Sequence, residues 1–151
     1  MSAFTYGEAV FLACEMEKQA IRLYERALVL FRDTPSSQAV CQILAEERSH
    51  LAQFEALGKE ACSFEQAQLL SAQAAKTLYA GGLMAAQRKG AFESPCALFQ
   101  YAAGEEEKAI DTYSAFAEKL DGDAARAFST IAGEERRHLE EFQGFIRALE
   151  K

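Results

Sequence analysis

The chain has 151 residues, half of them hydrophobic and 26% charged, which excludes a disordered tail or a fibrous protein and suits one domain with one sizeable core. With 16 basic against 23 acidic residues the net charge is −7, the wrong sign for a nucleic-acid binder, which needs a basic face. There are 29 alanines, 13 β-branched residues and only two prolines, so the composition predicts an all-α protein.

The first helix is expected from about residue 3 to 31, ending before Asp33, Thr34 and Pro35. Thr34 or Asp33 can cap the second, with Pro35 near its first turn, where the missing N–H costs nothing. That helix should run to about residue 56, with Gly58 taking the left-handed turn after its end. Ser94-Pro95 repeats the cap-then-proline grammar and opens a helix to about residue 120. Asp121-Gly122-Asp123 breaks it, and a last helix fills the remainder. Helices of roughly 22 to 28 residues at 1.5 Å per residue are about 33 to 42 Å long.

Short turns inside each pair predict two antiparallel hairpins, about 3–57 and 95–150, within a single domain. Residues 58–94 between them are too many for a turn. Ser63 to Gln66 reads as a capping box, and the alanine-rich run after it looks helical as far as Gly81-Gly82. A long, partly helical crossover between two hairpins is the ferritin-like four-helix topology, whereas short loops throughout would give a simple up-down bundle. The weakly polar stretch near residues 69–84 is broken by Lys76 and two glycines, too short to span a membrane. No basic, apolar signal peptide is read at the start, because Glu8, Glu15 and Glu17 interrupt it, so a cytoplasmic location is expected. Cys14, Cys41, Cys62 and Cys96 form no CxxC pair, which excludes a zinc ribbon or rubredoxin-like site and predicts free thiols.

The two halves repeat each other chiefly at polar positions. In residues 17–24 against 106–113, Glu17, Ala20, Ile21 and Tyr24 coincide with Glu106, Ala109, Ile110 and Tyr113. In residues 43–54 against 131–142, seven of twelve positions match, among them Glu46/Glu134, Glu47/Glu135, Arg48/Arg136 and His50/His138. The two registers differ by 89 and 88 residues, so one hairpin is duplicated almost without a gap. Both histidines of the chain fall in the repeat, each three residues after a glutamate and on the same helix face. Glu17, Glu47, Glu106 and Glu135 all sit inside apolar stripes, flanked one turn away by residues such as Ala13, Ile43, Ala102 and Ile131.

Four carboxylates buried together without counter-charge would cost many kcal/mol or become protonated. Arg48 and Arg136 point roughly 100° away from the ligand glutamates. A surface charge ladder would avoid the problem, but only by exposing the apolar residues around it. Two divalent ions solve it directly: four carboxylates carry −4, two ions carry +4, and two neutral imidazoles complete the shell. Such donors suit iron or manganese better than structural zinc, which prefers thiolates, although adventitious zinc is expected to compete. Tyr24 and Tyr113, two turns on from Glu17 and Glu106, either hydrogen-bond these carboxylates or serve as core tyrosines. Cys14, whose repeat partner is Ala103, reads as core.

This pattern resembles the rubrerythrin-like branch of the ferritin-like superfamily, over both hairpins but little of the crossover. The resemblance implies a diiron site with ligands Glu17, Glu47, His50, Glu106, Glu135 and His138, the glutamates of the two ExxH pairs bridging and Glu17 and Glu106 more terminal. It implies reduction of peroxide or dioxygen with electrons from an external donor, such as a separate rubredoxin-like protein, and a homodimer. Two departures stand out. The chain lacks a rubredoxin domain, and it has Ala109 and Ile110 where full rubrerythrins carry an additional carboxylate. Glu105 replaces Glu106 if the helix is rotated, but the seven-residue spacing to Tyr113 favours Glu106. Iron handling (ferroxidation, storage or delivery) and a non-catalytic helical module stabilised by metal are the alternative functions.

Overall fold

The computed structural model describes residues 5–58 and 82–150. Every element among them is helical: α1 (Tyr6–Leu30), α2 (Ser37–Gly58), α3 (Gly82–Arg88), α4 (Pro95–Lys119) and α5 (Gly122–Leu149). The four long helices fall within a few residues of their expected bounds. The expected capping box at Ser63 and most of the helix after it lie outside the described residues.

Several ends follow from their sequence. Thr5 accepts a hydrogen bond from the Glu8 amide while Glu8 reaches back to the Thr5 amide, a capping box that starts α1. Ser94 caps α4 by accepting from the Ala97 amide, with Pro95 in the first turn, as the sequence indicates. Gly122 has φ +65°, and with Asp121 as N-cap it turns the chain from α4 into α5.

Two details differ from expectation. Thr34 does not cap α2, which starts three residues later at Ser37. Its hydroxyl instead donates to the Phe31 carbonyl, and its own carbonyl accepts from the Ser37 amide, so residues 31–37 form successive tight turns. Gly58 is the last helical residue of α2 and has no positive φ. A Cβ there would lie 3.1 Å from Val10 Cγ1, so the glycine serves the close approach of α2 to α1 rather than a left-handed turn. The sequence also gave no notice that Gly82 begins a helix. α3 ends in a Schellman arrangement in which the Ala91 amide donates to Ala86 and the Gly90 amide to Gln87, with Gly90 at φ +79°.

α1 packs mainly along α2, and α4 along α5, with smaller contacts of α1 on α4, α2 on α5 and α1 on α3. The core divides into two apolar clusters. One contains Ala9, Val10, Leu12, Ala13 and Met16 of α1, Phe54, Tyr113, Phe116, Phe128 and Ile131; the other contains Leu23, Tyr24, Ile43, Leu44, Leu98, Phe99 and Phe142. Aromatic rings interlock in both, with Phe54 and Phe128 centroids 5.0 Å apart in the first and Phe99 and Phe142 5.8 Å apart in the second. On each long helix the repeat glutamate falls between residues of one cluster and residues of the other. The buried polar residues are therefore walled by hydrocarbon on both sides. No described helix is long and apolar enough to cross a membrane.

Candidate metal centre

Between the two clusters lie Glu17 from α1, Glu47 and His50 from α2, Glu106 from α4, and Glu135 and His138 from α5. All six are at most 2% exposed, and apart from the hydroxyls of Tyr24 and Tyr113 they carry the buried polar chemistry among the described residues. The structure thus brings together every ligand candidate read from the sequence. They form two overlapping groups, Glu17, Glu47, His50 and Glu135, and Glu47, Glu106, Glu135 and His138. Within each, one donor atom per residue lies within 4.8 Å of the others. Glu47 and Glu135 belong to both. The two imidazoles stack with their centroids 6.0 Å apart.

The donor atoms face each other without satisfying each other. His50 Nδ1 is 3.1 Å from Oε1 of both Glu47 and Glu135, and His138 Nδ1 is 3.4 Å from the same two oxygens. Neither nitrogen makes a hydrogen bond, and neither do Glu17 Oε2, both oxygens of Glu47, Glu106 Oε2 or Glu135 Oε1. Outside this cluster the only other such buried side-chain atom among the described residues is Glu105 Oε2. Buried polar atoms left unpaired cost roughly 1–3 kcal/mol each, more when charged, so so many in one place mark a site shaped for something else. No described lysine or arginine pairs with the six: Arg48 pairs with Glu25, and Arg136 bonds Ser114, both on the exposed surface. Carboxylate oxygens and imidazole nitrogens in this proportion fit divalent transition-metal ions.

The outer nitrogens of the imidazoles are spoken for. His50 Nε2 lies 2.5 Å from Glu134 Oε2, and His138 Nε2 lies 2.7 Å from Glu46 Oε2. Each carboxylate comes from the opposite half of the repeat. In the neutral ring that a metal ion requires, such a partner would accept the Nε2 proton and leave the Nδ1 lone pair directed into the cluster. Glu46 and Glu134 are not ligand candidates by sequence, and their only signal there is that both occupy matching repeat positions just before the ExxH glutamates. The tyrosines cross over too. The Tyr24 hydroxyl donates to Glu106 Oε1 at 2.5 Å, and that of Tyr113 to Glu17 Oε1 at 3.1 Å, while both rings pack in the core clusters.

The protonation of the metal-free cluster follows from burial and crowding. Burial, then the neighbouring Glu135, pushes Glu17 up to about 7 and holds Glu47 and Glu106 well above the usual carboxylate range. Burial also raises Glu135, but the facing His138 and His50 outweigh it and hold its carboxyl below the ordinary value. Burial disfavours the imidazolium ions, yet the facing carboxylates prevail and lift His50 to about 10 and His138 to about 11. Tyr24, buried and against Glu106, is raised well above its ordinary value and stays a proton donor. Protons thus occupy the cluster where cations would otherwise balance the charge.

A cavity of about 30 Å³ reaches Glu17, Glu47, Glu106 and Glu135, and is lined as well by Leu83 and Ala86 of α3 and Tyr101 of α4. It has room for one or two waters or a comparably small molecule. Glu105 lines it without joining either donor group, and its other oxygen pairs with Lys108 at 3.3 Å. Glu106 is therefore the α4 member of the cluster, as its spacing to Tyr113 indicates. Ala109 also lines the cavity and is too short to add a donor. Cys14 is a buried free thiol in the apolar wall, pushed up to about 12 by burial; Cys41 and Cys96 are free as well, and Cys62 lies outside the described residues. No protein-family model, no curated protein and no solved structure matches the chain.

Proposed function

We propose that the chain is a non-haem diiron redox protein, a rubrerythrin-like member of the ferritin-like superfamily that reduces peroxide or dioxygen with electrons from an external donor. The observation that carries this reading is the pair of three-carboxylate, one-imidazole groups sharing Glu47 and Glu135. The order of the clusters along the helices supports the four-helix topology of two antiparallel hairpins. α1 runs from the Phe54 cluster to the Phe99 cluster and α2 runs back; α4 and α5 do the same in opposite senses.

Two iron ions, when bound, would supply one-electron steps and open coordination positions for a small oxidant. Glu47 and Glu135, common to both donor groups, would help to hold both ions, and Glu17 with His50 and Glu106 with His138 would hold one each. The chain's own groups do the rest. Glu134 and Glu46 fix the ring orientation of the histidines. Tyr24 and Tyr113 hold Glu106 and Glu17 by their Oε1 atoms, leaving both Oε2 atoms free for a ligand role. The apolar clusters flank the site on both sides, and the cavity beside it has room for a small reactant.

The test is stopped-flow spectroscopy of the ferrous protein mixed anaerobically with peroxide, compared with air-saturated buffer. Rapid ferric absorption in either arm supports the redox reading, and the faster arm identifies the oxidant. A ferrous spectrum unchanged by both would overturn it. Glu134→Gln keeps the shape but loses the charge behind His50, and should weaken metal binding by about 10- to 100-fold in competition with a chelating dye. Undiminished affinity would mean that the Glu134 charge does not support the metal site.

A further inference from the structure

The two halves of the centre are built from matching residues, yet two differences between them point the same way. The first lies where the repeat breaks. At the 88-residue offset, Arg137 stands where the first half has Ser49. The Arg137 guanidinium pairs with Glu46, the carboxylate behind His138. Among the described residues, Glu134, the carboxylate behind His50, has no lysine or arginine partner. Secondly, Tyr24 directs its proton onto Glu106, whereas the Tyr113 hydroxyl is shared between Glu17, at 3.1 Å, and the Ala13 carbonyl, at 3.4 Å.

A carboxylate that accepts the Nε2 proton lends the ring negative charge and makes Nδ1 a stronger donor. A cation paired with that carboxylate draws the charge back and adds positive potential beside the site. A phenol proton close to a carboxylate likewise withdraws charge from it. Each difference leaves Glu17 and His50 the stronger donors and Glu106 and His138 the weaker. Glu47 and Glu135, common to both groups, do not discriminate.

Resting on the two-ion reading above, we infer that the first divalent ion settles among Glu17, Glu47, His50 and Glu135, that the Glu106 and His138 position fills second, and that Arg137 is the positioning residue that sets this order. Arg137 touches none of the six ligand candidates. It acts through Glu46 and the His138 ring.

The chain's two histidines fall one in each group, so each reports on its own position. The experiment is a titration of the metal-free protein, with ¹⁵N-labelled imidazoles, using Zn²⁺ as a diamagnetic probe. The His50 ring signals should reach their endpoint near the first equivalent and those of His138 near the second, with His50 occupied about three- to tenfold more at the midpoint. Arg137→Ser should narrow that ratio by about two- to fivefold, as an exposed ion pair allows, and Ser49→Arg should narrow it from the other side. Both positions are exposed, and helical content by circular dichroism confirms that the variants fold. Combining the two exchanges should bring His138 level with or ahead of His50. In the wild type, parallel filling or filling of His138 first overturns the order. An order unmoved by either exchange overturns the role of Arg137. If neither ring responds to Zn²⁺, the two-ion reading falls, and this inference with it.

Discussion

Replacing Glu47 and Glu135 together by alanine should abolish metal binding, taking the chain from two ions to none by elemental analysis after reconstitution. The reason is that these two carboxylates alone belong to both donor groups, so their loss leaves each position with one carboxylate and one imidazole. Glu17→Ala and Glu106→Ala each remove a donor from one group only, and should each leave about one ion per chain. The Glu47→Gln, Glu135→Gln pair preserves side-chain volume and should likewise bind no metal, which separates loss of charge from loss of packing. Unchanged stoichiometry in the double variants would sink the ligand assignment.

Melting of the metal-free protein should worsen as pH rises above about 5, and metal should abolish that trend. Glu17 keeps its proton in the folded state up to about 7, whereas in the unfolded chain it ionises near 4.5. A folded value above the unfolded one means that the folded state binds more protons. Its stabilising contribution is complete below pH 4.5 and is lost as pH rises through 7. Glu47 and Glu106 act in the same direction. The histidines continue the trend, since their contribution is complete below 6.5 and is lost through about 10 for His50 and 11 for His138. Glu135, lowered in the folded state, acts oppositely, and its contribution is lost as acid is added below its ordinary value. Divalent ions take the place of the protons and bind only the folded chain. At a hundred times the dissociation constant each adds about 2.7 kcal/mol, a rise of roughly 5–10 °C in Tm for a chain of this length. Thermal scans with and without Fe²⁺ or Mn²⁺ between pH 5 and 8 check this. A melting temperature indifferent to metal throughout would mean that the cluster is not a metal site.

The six buried polar residues were legible because the repeat marks them twice and the apolar stripes assign them to the interior. A glutamate flanked one turn on either side by Ile43 or Leu51 has nowhere to point but inward. The ends of α1, α4 and α5 were legible to within a few residues for a similar reason, since proline, glycine and capping side chains act locally. The start of α2 was misjudged because Thr34 had two local uses, capping the helix after it or closing the turn before it. The hydrogen bond to Phe31 chose the second. Gly58 was misread because its reason is Val10, distant in the chain, and no local rule carries that contact.

The sequence by itself determined the helical class, the four long helices and the identity of the buried cluster, all of which depend on spacing along one helix. Only the tertiary structure decided which residue supports which. That Glu134 holds His50, Glu46 holds His138, Tyr24 holds Glu106 and Tyr113 holds Glu17 depends on how helices from opposite halves of the chain face one another. The same holds for Arg137, whose partner Glu46 is 91 residues away, and for the cavity between α1, α3 and α4. Periodicity assigns a side chain to a face, but a hydrogen bond between helices needs their relative rotation and register, which packing of the whole core sets.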